Sequence, residues 1–282
     1  MKKIMILTAI IFALGALPAA SYAGRTGGQS DHSPMPAVQG PIKSGEASFQ
    51  FRASTIIGRW VKNKEGDYLG RITDLMIDPQ NGGKAFAVLS RGGVLGIPMR
   101  FVAVPFHALA SSDEPHVYLL DVSKEKMDGA LSFDRDHWPD VADRGWETDT
   151  YRYYGQTPQW GESSEPAVPL QGKADRYQQI VGTSVKNQQG EELGKINDVV
   201  IDSQGHVPLA ILAHGGFWGM GGKLVAVPFS ALQFDPSKKD YMLNSTQEKL
   251  DSAPAFQVSD LSHEKWPEDV YRFFGQYPYW AE

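Results

Sequence analysis

Asp74 and Asp78 come back later in the chain as Asp198 and Asp202, an Asp-x-x-x-Asp pair used twice. Two nearby carboxylates are the usual equipment for general acid and base work or for holding a metal ion. On an extended strand, residues four apart share a face and lie about 13 Å from one another at ~3.3 Å per residue. A carboxylate pair acting on one bond needs about 5–9.5 Å, so the spacing serves that chemistry only if a bulge shortens it. Turn chemistry fits better: Asp78 opens Asp-Pro-Gln-Asn, Asp202 opens Asp-Ser-Gln-Gly, and Asp74 and Asp198 are expected to accept local amides.

Other reactive residue types fail to assemble a site. His107 aligns with Ser230 and His214 with Arg91. His116 and His206 have no counterpart, and His137 and His263 precede Trp-Pro pairs at unequal distances. No His-x-x-x-His or Glu-His grouping offers zinc ligands. The stretch from Gly215 to Leu224 is glycine-rich, but a phosphate-binding loop needs Gly where Phe217 stands and Ser or Thr where Leu224 stands. It reads as a hairpin loop whose Phe217, Trp218 and Met220 are candidates for a contact surface. No serine sits in a Gly-x-Ser-x-Gly elbow. The expectation is a protein with no catalytic residue, no metal and no cofactor.

The elements around these residues are duplicated. Gly58, Gly66 and Gly70 match Gly182, Gly190 and Gly194 at an offset of 124, the same offset as the aspartates. Val102-Ala103-Val104-Pro105-Phe106 returns as Val225-Ala226-Val227-Pro228-Phe229, and Tyr151-Arg152-Tyr153-Tyr154-Gly155-Gln156 as Tyr271-Arg272-Phe273-Phe274-Gly275-Gln276. A residue present in one copy alone is therefore dispensable to the shared module. Between Phe133 and Tyr151 the first copy is longer, and both Trp138 and Trp146 compete to match Trp266.

Short β-branched runs separated by glycine turns predict a mainly β chain with two tandem small antiparallel barrels, each followed by a short helix and an aromatic tail. Ser245-Thr246-Gln247-Glu248 predicts a capping box at the second helix. The expected organisation is a signal peptide over 1–23, a flexible leader over 24–52, a first module over 53–160 with its barrel at 53–122, a linker over 161–175, and a second module over 176–282 with its barrel at 177–244.

Met1-Lys2-Lys3, an apolar run from Ile4 to Leu17 and small residues at Ser21 and Ala23 predict cleavage between Ala23 and Gly24, hence a periplasmic or secreted protein. The run is shorter than the ~20 residues a bilayer span requires, so no stable span is expected after cleavage. With no cysteine, the chain has no disulfide and no thiol chemistry. Losing Lys2 and Lys3 leaves 25 basic residues against 33 acidic, a net charge of −8 that argues against nucleic acid and anionic lipid as partners.

The segments Ile57-Gly58-Arg59-Trp60-Val61-Lys62-Asn63, Leu69-Gly70-Arg71-Ile72-Thr73-Asp74-Leu75 and Val104-Pro105-Phe106, with their echo from Val181 to Phe229, resemble the PRC-barrel domain. The resemblance implies a small SH3-sized β-barrel used for protein contact and assembly, without intrinsic enzymatic activity. Export and the aromatic tails depart from the family pattern. The function expected is an exported, non-catalytic interaction or assembly module of the cell envelope, with a small-ligand or glycan binder as the alternative. Candidate contact residues are Phe217, Trp218, Met220, Tyr154, Trp160, Phe274 and Trp280. The tails are expected to cover their own barrels, with Arg152 and Arg272 each pairing an acid.

Overall fold

The computed structural model describes residues 50–78, 84–93, 99–141, 143–157, 175–216, 222–278 and 280. The signal peptide, most of the leader and linker, Trp160 and the Phe217–Met220 loop lie outside the described residues.

The first copy contains strands β1 (Gln50–Arg52), β2 (Trp60–Lys62), β3 (Tyr68–Asp78), β4 (Lys84–Arg91), β5 (Arg100–Pro105), β6 (Leu109–Ser111), β7 (Val117–Leu120) and β8 (Ser132–Phe133). Its helices are α1 (Ala53–Ile56), α2 (Lys124–Asp128) and α3 (Arg144–Tyr153). The second copy runs β9 (Asp175–Arg176), α4 (Tyr177–Ile180), β10 (Ser184–Lys186), β11 (Glu192–Asp202), β12 (Leu209–His214), β13 (Lys223–Pro228), β14 (Leu232–Asp235), β15 (Asp240–Leu243), α5 (Gln247–Ser252) and α6 (Trp266–Phe274).

Each copy curls one sheet into a small barrel. The strand orders are β6-β7-β2-β3-β4-β5-β8 and β13-β12-β11-β10-β15-β14. Neighbours are antiparallel except β2 with β7 and β10 with β15, which run parallel where the last strand returns beside the first. Ile72, Leu75, Ile77 and Leu89 point inward with Val104, and Ile196, Val199, Ile201, Leu212 and Val227 repeat the pattern. A register shift between Ile72 and Asp74, matched between Ile196 and Asp198, marks a bulge that bends each long strand around its core.

The leader and linker boundaries need correction. β1, placed in the flexible leader, pairs with β11 of the second copy through Gln50↔Asp202, Phe51↔Ile201 and Arg52↔Val200. β9, which begins inside the assigned linker, pairs reciprocally with β3 through Met76↔Arg176 and Ile77↔Asp175. The edge each long strand would expose is covered by the strand entering the other copy. Phe51 packs within 6.4 Å of Phe106, and one apolar cluster runs through both barrels.

The tails are helical in their first part. In α6, Pro267 occupies the first turn, where a missing amide costs nothing. Gly155 and Gly275, each at φ +70°, stop the two helices in the left-handed conformation. The next amides, of Gln156 and Gln276, donate back to the Tyr151 and Tyr271 carbonyls at 2.9 Å. The repeated Tyr-Arg-x-x-Gly-Gln is thus a helix-stop signature. The cap of α5 is Thr246 rather than Ser245, accepting from the Lys249 amide, and Ser123 does the same for α2 from Lys126. The two caps match, so Val122 is no exception.

Candidate functional site

The repeated aspartates are buried, and their main partners come from the other copy. Asp198 accepts from Arg52 Nε at 2.8 Å, Ser54 Oγ at 2.5 Å, the Ser54 amide at 3.2 Å and Tyr177 Oη at 3.1 Å, besides the adjacent Val199 amide. Asp74 accepts from Arg176 Nε at 2.9 Å, the Gln178 amide at 3.3 Å and the Leu75 amide at 2.9 Å. Arg52 and Arg176 are themselves related by the 124-residue offset, so the two ion pairs are copies of one another across a pseudo-twofold relation. The expected local amide bonds exist, but the carboxylates are placed chiefly to receive a partner over 100 residues away.

Burial pushes the Asp74 carboxyl above the usual carboxylate range, and Arg176 partly reverses the shift. Burial and the facing Asp198 raise the Tyr177 hydroxyl, so it stays a donor. With every donor aimed at the carboxylates, neither pair is presented to a substrate.

Asp78 and Asp202 diverge. Asp202 holds its turn by accepting the Gln204 and His206 amides at 2.9 and 2.8 Å. Asp78 faces Lys84 across the β3–β4 hairpin and borders a buried charge cluster peculiar to the first copy. There Glu147 of α3, fully buried, lies 3.9 Å from Lys84 Nζ and 3.6 Å from Arg144. Burial lifts the Glu147 carboxyl to about 7, with Asp78 adding to the shift and Lys84 opposing it. Burial also lowers Lys84. The matching position in α6 is Pro267. Nearby, His107 stacks on Tyr151 at 5.2 Å and meets Gln156 at 3.1 Å. Sequence reading missed Glu147 because nothing in its flanks distinguishes it from a solvated helix acid. Among the described residues, no group of three or more His, Asp or Glu side chains could hold a metal ion.

The tails pack on their own barrels. Tyr151 meets Phe86 edge-on at 5.5 Å, and Tyr271 donates to the Pro208 carbonyl at 3.1 Å. Trp146 and Trp266 occupy equivalent helix positions, five residues before Tyr151 and Tyr271, against Phe86 and Phe256 respectively. That settles the alignment of Trp266 in favour of Trp146. Trp138 belongs to the insertion, stacks on Phe101 and lies under the Arg176 guanidinium at 3.9 Å. Arg152 and Arg272 pair with Asp149 and Asp269 of their own helices at 3.0 and 2.8 Å.

Of the candidate contact residues, Tyr154 is buried with its hydroxyl toward Met127 Sδ, and Phe274 packs against Phe273 and the core. Tyr154 is thereby withdrawn from the surface and Phe274 is half-buried, because the helix ends turn an apolar face to the barrel. Trp280 is 39% exposed and leans edge-on against Tyr271.

Beside β3, β4 and α2 the first barrel has an open cleft of about 700 Å³, lined by residues that include Arg71, Arg91, Arg100 and Asp128. The second has its counterpart, about 900 Å³, with Lys195, His214, Lys223 and Asp251 at the same places. In each, one side chain latches the following helix: Arg91 to Asp128, and His214 to Asp251 at 3.0 Å.

No curated protein matches the chain. Among solved structures, a Pseudomonas aeruginosa protein described as a 16S ribosomal RNA processing protein, RimM, matches with 11% identity and a TM-score of 0.20, over 62% of this chain and 79% of that one. The family model for the PRC-barrel domain matches twice, over residues 50–127 and 172–250, which together exceed half the chain and take in both inter-copy strands. The chain therefore belongs to the PRC-barrel domain family and carries the domain in tandem.

Proposed function

We propose that the protein is an exported, non-catalytic assembly module of the cell envelope, in which two PRC barrels are locked into one platform that presents a surface to a protein partner. The observation that carries this reading is the reciprocal Arg52–Asp198 and Arg176–Asp74 pairing. One acid of each repeated pair, Asp74 and Asp198, is taken up in joining the barrels, which favours a double module over a reaction site. The basic start, apolar run and small residues before Gly24 support export. No helix among the described residues is long and apolar enough to cross a membrane. PRC barrels are generally interaction modules, and a small barrel is a platform whose specificity lies in surface residues.

The glycan-binding alternative loses Tyr154 to core packing, and Phe274 is half-buried against the same core. Site-specific crosslinking across the surface of the mature protein in its own cells, with cell fractionation and N-terminal sequencing, tests the proposal. Protein adducts in an envelope fraction and a chain beginning at Gly24 are expected. Thermal stabilisation by muropeptides or sugars without any protein adduct would overturn it.

A further inference from the structure

The duplication shows which exposed side chains the fold does not need. On the first barrel Trp60 is 44% and Tyr68 55% exposed, although both belong to ladder strands. Their rings meet edge-on at 5.3 Å. Trp60 lies opposite Arg71 and Tyr68 opposite Lys62 in the β2–β3 pair. The β10–β11 pair has the same register, Ser184 opposite Lys195 and Glu192 opposite Lys186. Ser and Glu thus serve the second barrel where the first holds Trp and Tyr. Leaving two large rings about half in water forgoes burial free energy that their contacts with each other, Arg71 and Lys62 offset only in part.

The cleft next to these rings is positively charged. Asp128 is the one acid among its lining residues, and it is taken by Arg91. Arg71 donates Nε to the Gly58 carbonyl and forms no ion pair among the described residues. Arg100 is exposed, without an ion pair among them, and next to it Met99 is 48% exposed. Among the described residues two guanidinium charges are therefore uncompensated, on a chain whose formal net charge is −6. The second cleft differs, because Lys223 spends its ammonium on the Asp251 and Ala253 carbonyls and Glu192 adds an acid.

We propose that the Trp60–Tyr68 surface and its arginine cleft form the docking site for an acidic segment of a partner protein. The partner's carboxylates meet Arg71 and Arg100, and its apolar side chains pack over Trp60, Tyr68 and Met99. Trp, Tyr, Arg and Met are the types enriched in protein interfaces and their hot spots, and a guanidinium fork matches a carboxylate bidentately. An acidic glycan fits less well. Arg71 and Lys62 already lie over the two rings, at 5.7 and 4.5 Å from their centroids, and the edge-on rings make no flat platform for sugars. The inference rests on reading the chain as an interaction module.

The test places a photo-crosslinking benzoylphenylalanine at Tyr68, Glu192 or Tyr277 of the full-length protein in its own cells, followed by mass spectrometry of the adducts. Adducts at Tyr68 are expected on a peptide rich in Asp and Glu. Their yield should fall at least tenfold in Arg71→Glu/Arg100→Glu. Should that variant fold poorly by circular dichroism, Arg100→Glu alone replaces it, with a threefold fall expected. Carbohydrate adducts, adducts on peptides without acids, equal yields at Tyr68 and Glu192, or indifference to charge reversal would each overturn the proposal. Protein adducts at Tyr277 but none at Tyr68 would sink this surface and leave the interaction-module reading standing. No protein adduct at any of the three positions would remove both.

Discussion

Arg52 and Asp198 are 146 residues apart in the chain and 2.8 Å apart in the fold, and Arg176 repeats the bond to Asp74 at 2.9 Å. The two pairs differ in the donors that back them up. Without Arg52, Asp198 still accepts from Ser54 Oγ and Tyr177 Oη, whereas Asp74 without Arg176 keeps only two amides. Stranding a buried charge costs about 3–5 kcal/mol, lessened where other donors remain. Arg176→Met is expected to lower unfolding free energy by about 3 kcal/mol and Arg52→Met by about 1–2 kcal/mol in urea titrations. Equal losses, or the reverse order, would show that the hydroxyls around Asp198 do not compensate.

Lys84 and Glu147 form a pair whose members are each expensive to strand. Lys84→Met alone should cost about 3 kcal/mol, while Lys84→Met/Glu147→Leu should return to within about 1 kcal/mol of the parent or exceed it, since apolar replacement of a whole buried pair is often neutral or stabilising. A double-mutant cycle with no coupling between the two positions contradicts this.

The raised Glu147 carboxyl also sets a pH dependence. Between its ordinary value of 4.5 and about 7 the folded protein holds a proton that the unfolded chain has released. Stability should therefore fall as pH rises through that window. Burial raises Asp74 in the same direction. Urea midpoints measured from pH 4.5 to 7.5 should decline, and the decline should flatten in Lys84→Met/Glu147→Leu. An unchanged slope in the double variant would assign the effect to other groups.

Gly194 and Gly70 are matched in sequence but carry different constraints. At Gly194, φ is +149° and an added Cβ would lie 2.4 Å from the Ala213 carbonyl oxygen. At Gly70 the nearest atoms are 3.1 Å away. Gly194→Ala should abolish folding of the second barrel or lower its melting temperature by more than ~10 °C, against a few degrees for Gly70→Ala. Differential scanning calorimetry of the two variants distinguishes the cases.

The duplication, the glycine turns and the alternating apolar runs made the two barrels legible, because strand period and turn chemistry are local properties. Gly155 and Gly275 are likewise local helix-stop signals and explain why the Tyr-Arg-x-x-Gly-Gln motif recurs, while Pro267 marks the start of α6 alone. Trp60 and Tyr68 were in plain view too, but a residue's exposure is not written in its own sequence neighbourhood. Set beside Ser184 and Glu192, their difference between copies was legible, and its meaning was not.

The sequence by itself determined a protein made of one PRC-barrel module used twice, with its acids and glycines at fixed offsets. Only the tertiary structure decided that β1 and β9 cross to the opposite copy, that Arg52 and Arg176 neutralise Asp198 and Asp74, and that Glu147 is buried beside Lys84. The physical reason is range. Turns and strands follow from neighbours a few residues apart, whereas the partner of a buried charge is set by which distant segments the closed core brings to within 3 Å or so of it.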